Sequence, residues 1–180
     1  PTPLPTATPT PTPTPTNTPT PTPTPAGPYL VQKKFGYQGA SSNVKTFTSS
    51  VVAGRMIIAA VTHSSNTLSS VTDNRGNTYS EIIPGGRVNA DGDRVHLYYA
   101  KNVAGGATTV TAALTGSTDI TMGIYEYAGI DTVSPLDKTT SAVGTGTAPN
   151  GGTLNPTIDS ELYFAVGVDD EILGVGHEVA

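Results

Sequence analysis

The chain has 180 residues, a net charge of −5, no cysteine, and charged side chains at only 13% of positions, against a usual share of about 25%. Nine Lys and Arg, with Lys33-Lys34 the one adjacent pair, cannot build the basic stripe that displaces counterions from nucleic acid. The missing thiols exclude cysteine catalysis, zinc–thiolate sites and disulfide frameworks, and no apolar run nears the ~18 residues of a membrane span.

Residues Pro1 to Pro25 read PTPLPTATPTPTPTPTNTPTPTPTP. Proline fixes its own φ and pushes the preceding residue toward extended geometry. The tract is therefore expected to avoid helix and sheet ladder and to form a polyproline II rod. At about 3.1 Å per residue the rod is roughly 75 Å long. Its hydroxyls make Thr10, Thr12, Thr14, Thr16, Thr18, Thr20, Thr22 and Thr24 candidates for O-glycosylation. Residues 1–28 are taken as a stalk or linker, and 29–180 as one domain. A chain beginning at Pro1 without a leader reads as a mature or excised fragment.

From Tyr29 onward, short segments rich in β-branched and aromatic residues alternate with Gly, Asn, Asp and Ser. They predict strands over 29–35, 44–48, 55–62, 67–72, 78–83, 94–101, 107–114, 119–128 and 161–168. MIIAAVT (56–62) and LYFAVGV (162–168) are continuously apolar, as strands buried on both faces would be. Elsewhere residues alternate: Val95, Leu97 and Tyr99 share one face against His96 and Tyr98, and Val110, Ala112 and Leu114 point inward. The stretches 73–77, 84–86 and 104–106 carry turn chemistry. Without a sustained 3.6-residue period there is no long helix to expect. The fold class is all-β, an antiparallel two-sheet β-sandwich of jelly-roll or Ig-like kind. The chain stops soon after 161–168 with no closing hairpin, so either the given sequence ends early or the sandwich lacks a last strand, which a neighbouring copy would supply.

Candidate chemistry is sparse. His63, His96 and His177 have no metal-ligand spacing. No G-x-S-x-G elbow is present. Glu81, Glu126 and Glu161 are the carboxylates beside strands that a glycosidase pair would draw on, and Glu126 shares a face with Ile124 and is expected to be buried. Asn89, Asp91 and Asp93 place three oxygen side chains at alternate positions around Gly92. That pattern suits calcium, but the full twelve-residue loop signature and its bidentate Glu are missing, and a plain hairpin turn is the preferred reading. Asp169-Asp170-Glu171 reads as a solvated loop. Among the tyrosines at 79, 98, 99, 125 and 127, Tyr125 and Tyr127 share a strand face and are candidates for stacking against a sugar ring. No cofactor is expected beyond that calcium.

The Pro/Thr tract resembles the linkers between modules of large secreted bacterial proteins, including glycoside hydrolases and surface-layer or adhesin-like proteins. GNTYSEI (76–82), VHLYYAKNVAGGATTVTAAL (95–114) and MGIYEYAGIDTVSPLD (122–137) resemble a β-sandwich module of such proteins, over most of 29–180. The resemblance implies a secreted, cell-surface location and no enzymatic activity, and it brings no site residue with it. The leading expectation is a structural subunit of an extracellular bacterial filament or stalk, the Pro/Thr segment joining or clasping successive copies. The alternative is a carbohydrate-binding or adhesin module on a passive linker. Partners are then copies of the chain itself, or a glycan or polysaccharide, with no nucleic acid and no membrane span.

Overall fold

A computed structural model describes residues 27–144, 150–157, 161–168 and 173–179. The Pro/Thr tract up to Ala26, with its candidate threonines, lies outside them, as does Asp169-Asp170-Glu171. The described chain is all-β and antiparallel, with no helix. Its strands are β1 (Tyr29–Thr46), β2 (Met56–His63), β3 (Leu68–Asp73), β4 (Ser80–Glu81), β5 (Arg87–Val88), β6 (Arg94–Ala100), β7 (Thr109–Ala128), β8 (Leu162–Val168) and β9 (Leu173–Val179). No helix among the described residues is long and apolar enough to cross a membrane.

Strands β1 to β7 belong to one hydrogen-bonded sheet in the order β1-β7-β2-β6-β4, with β3 on β7 and β5 on β6; β8 and β9 form a separate pair. The segments expected at 29–35 and 44–48 are one 18-residue strand, and those at 107–114 and 119–128 are one 20-residue strand. Glycines at 36, 39 and 116 and the polar runs around them read as breaks. The long β1–β7 pairing carries the chain through them. The pairing is irregular once near its middle, where Ala40 pairs with Thr118 and Ser42 with Ala113. One residue on β1 (41) thus faces four on β7 (114–117), a bulge that sharpens twist and bends the strands.

The bend decides the core. Lys45 sits so close to Gly36 that a Cβ there would lie 3.0 Å from its Cε. Nine residues of straight strand would separate the two by roughly 30 Å, so β1 folds back on itself. Side chains from both halves then meet in one cluster. Val71, Val110, Ala112 and Leu114 pack with Ile57, Ala59, Val61, Ile120, Met122 and Ile124. Each such aliphatic side chain, fully buried, contributes about 1.5–3 kcal/mol. Strand β2 lies between β6 and β7 and all eight of its residues are buried, as its unbroken apolar run predicts.

The opposite face holds a second cluster, Met56, Ile58, Tyr125 and Tyr127, with Leu97, Tyr99, Leu162 and Phe164 packed against it. Its lid is β8, whose residues alternate between half-buried and exposed. Strand β8 is therefore not the doubly buried strand that its composition suggests. Its partner β9 corrects a second expectation. Leu162 pairs with Val179 and Val168 with Leu173, so a closing hairpin is present. The Gly-rich sequence LGVGHEV hid it, because glycine weakens every strand signal.

Candidate functional site: the open edge of β1

Strand alternation sets which side chains converge. On β7 the even positions face the larger core, which carries Glu126 inward beyond Ile124. Its carboxylate has no solvent exposure. Its Oε1 accepts from Arg55 Nη1 at 2.7 Å and from the Val52 amide at 3.2 Å, and its Oε2 accepts from Gln32 Nε2 at 2.6 Å. Gln32 also accepts from the Ser49 amide. The network joins β1 and β7 to the segment 49–55 that closes the end of the core. A charge with every partner inside the protein is a structural tie, as a buried carboxylate must be to tolerate low dielectric.

His63 and His96 come together from β2 and β6, a proximity that the sequence spacing concealed. Their rings stack at 5.2 Å with planes 7° apart. His63 Nδ1 lies 2.9 Å from the Ser65 carbonyl and His96 Nδ1 lies 2.6 Å from Glu81 Oε1. Burial pushes the His63 imidazole below its ordinary value, and the neighbouring His96 and Arg94 push the same way. Glu81 belongs to β4 and Glu126 to β7, with β2 and β6 between them. Three strand spacings are about 14 Å, too wide for the 5–9 Å that a glycosidase pair requires. Glu161 precedes β8 and is half-buried. The side chain of His177, on β9, lies outside the description. No group of three or more His, Cys, Asp or Glu suited to a metal ion occurs among the described residues.

Asn89, Asp91 and Asp93 form the turn between β5 and β6. Asn89 Oδ1 accepts from the amides of Asp91 (3.1 Å) and Asp93 (2.8 Å), and the Asn89 amide donates to the Asp93 carbonyl at 2.9 Å. An oxygen already holding two N–H groups is not offered to a cation. The turn alternative describes this loop. Tyr125 and Tyr127 are likewise corrected as stacking residues: they are 4% and 0% exposed, and Phe164 packs edge-on against both rings, at 5.1 and 6.3 Å. Burial raises both phenols, that of Tyr127 to about 12. The shared strand face was read correctly, but β8 covers it.

What lies open is β1. Among the described residues it pairs with β7 alone, so one edge of an 18-residue strand has no ladder partner, although the Val44 amide donates to Gln38 Oε1 at 3.4 Å. Most edge strands are short, charged or covered. Here Phe35 is 54% and Tyr37 62% exposed, and Tyr29 is half-exposed as well. Phe35 and Tyr37 lie on one face, roughly 7 Å apart. Phe35 pairs across the sheet with Gly123, which offers no side chain to cover its ring. Tyr37 is held by a 2.6 Å hydrogen bond from its hydroxyl to Asp119 Oδ1, and that bond raises its phenol pKa. Lys33, Lys34 and Lys45 are the only charges on the strand.

No family model, no curated protein and no solved structure matches the chain.

Proposed function

We propose that the chain is a non-enzymatic structural subunit of an extracellular bacterial filament or stalk. The β-domain, a sandwich-like bead made by the bent sheet, is joined to its neighbours through the Pro/Thr segment. The observation that carries this reading is the open edge of β1, which is long, bears Phe35 and Tyr37, and starts four residues after Pro25, the last proline of the Pro/Thr tract. A free strand edge recruits another chain by main-chain hydrogen bonds. Secretion and O-glycosylation of Thr10 to Thr24 belong to the same reading, and glycans would shield an exposed rod from proteases. Electron microscopy of the purified full chain tests it: the reading expects elongated polymers, and dispersed single beads at high concentration would oppose it.

A second reading, a carbohydrate-binding or adhesin module on a passive linker, draws on Phe35 and Tyr37 as a pair of exposed rings. Depletion of the chain by insoluble polysaccharide, lost in Phe35→Ala with Tyr37→Ala, would favour that reading over the first.

A further inference from the structure

The Pro/Thr segment has a parity that a rod does not need. Its eleven prolines all fall at odd positions, from Pro1 to Pro25, and every even position from Thr2 to Ala26 carries a residue with a backbone N–H. Two odd positions are not proline, Ala7 and Asn17, and the alternation resumes after each without slipping by one. Polyproline II has three residues per turn, so a period of two distributes prolines over all its sides. Only an extended strand has a period of two.

In a strand, residues i and i+2 direct their N–H and C=O groups to the same side. A strand built from this segment therefore has one side lined by donors and acceptors, mostly of Thr, and another side almost without donors. Proline is tolerated in a sheet where its missing N–H faces away from the neighbour. The residue before each proline is already biased to extended geometry, and proline's own φ fits the same basin. The alternation forbids a ladder on two sides and permits one on a single side.

We infer that the Pro/Thr segment of one copy adds as a terminal strand to the open edge of β1 in a neighbouring copy, its Thr amides toward β1 and its prolines outward. This rests on the filament reading and specifies its contact. The lengths agree. Strand β1 spans 18 residues, and its regular stretch runs from Gln32 to Ala40. Uninterrupted alternation covers Pro9–Thr16 and Pro19–Pro25, either of which fits within that stretch. The proline side then closes the edge, since it offers almost no donor to a further strand. Return of the segment onto its own β1 is opposed by the connection Pro25-Ala26-Gly27-Pro28. A two-residue hairpin there needs the N–H of Pro28, which does not exist, and a positive φ at Ala26.

The test changes only the segment, leaving the β-domain intact. In the full chain, the threonines at 10, 12, 14, 16, 20, 22 and 24 are all replaced by Pro in one variant and by Ala in another. A third variant inserts one Thr after Thr12 and another after Thr22, which reverses the parity inside both alternating blocks. Assembly is followed by sedimentation velocity, and the β1 amides by hydrogen exchange. Assembly and protection of outward amides in Gln32–Ala40 by about tenfold or more are expected for the native and Ala chains. The all-Pro chain should remain single, and the insertions should weaken assembly. Equal assembly by the all-Pro chain would overturn the inference and leave the filament reading standing. If the native chain stays single, a synthetic peptide of residues 1–26 is added. Protection of β1 by the peptide would then keep the inference and remove the filament. No protection would remove both.

Discussion

The side-chain amide of Asn43 donates to the carbonyl of Gly36 at 2.8 Å, although seven residues of the same strand separate them. The same Nδ2 reaches the Ile120 carbonyl at 2.9 Å, so one fully buried amide ties both halves of the bent β1–β7 pair. Replacing Asn43 by Ala leaves two carbonyls without their donor and opens a gap. We expect a loss of about 2–4 kcal/mol in urea unfolding. A loss below about 0.5 kcal/mol would mean that the bend is held elsewhere.

Among the described residues, Arg55 is the charge that balances Glu126. Arg55→Met should cost about 3–5 kcal/mol, because it strands a carboxylate with no access to water. The double variant Arg55→Met, Glu126→Met should recover most of that loss. A double variant as unstable as the single one would contradict the assignment.

His63 gives the fold an acid sensitivity with a definite sign. Burial holds His63 below the ordinary value of 6.5; His96 and Arg94 add to this, while the Ser65 carbonyl and Asp93 oppose it. The unfolded chain therefore takes up this proton at a higher pH than the folded one. The stabilisation is whole above pH 6.5 and declines as the pH falls toward the folded value. His63→Phe, which keeps an aromatic ring beside His96, should flatten the stability profile between about pH 7 and pH 5. Parallel profiles for the two proteins would exclude His63 as the source.

Gly86 has φ +65°, and a Cβ there would run into the Val95 carbonyl and lie 2.7 Å from His96 Nδ1. Gly86→Ala should cost at least about 2 kcal/mol and break the His96–Glu81 contact. Stability would be read by urea unfolding and the contact by the His96 imidazole resonances.

For the turn at Asn89, millimolar calcium should move the melting temperature by less than about 1 °C, since no ligand gain offsets the two amides held by its side chain. A calcium-dependent rise of several degrees would favour the calcium reading instead.

Much of this was readable from residues alone. The apolar run of β2, the inward Val110, Ala112 and Leu114, and the buried Glu126 follow from alternation and hydropathy, which are local. What the sequence concealed depends on distant partners. Strands β1 and β7 run through glycines because each supports the other. Tyr125 and Tyr127 are covered by a strand more than thirty residues away. His63 and His96 meet only because β2 pairs with β6. The openness of Phe35 and Tyr37 depends on β1 being the edge, a property of strand order that no window of sequence contains.

Sedimentation velocity of the full native chain, from about 1 μM to about 1 mM, bears most directly on the proposal that copies of the chain polymerise. The account requires species that lengthen as concentration rises. A single, unchanging species of one chain's mass across that range would contradict it.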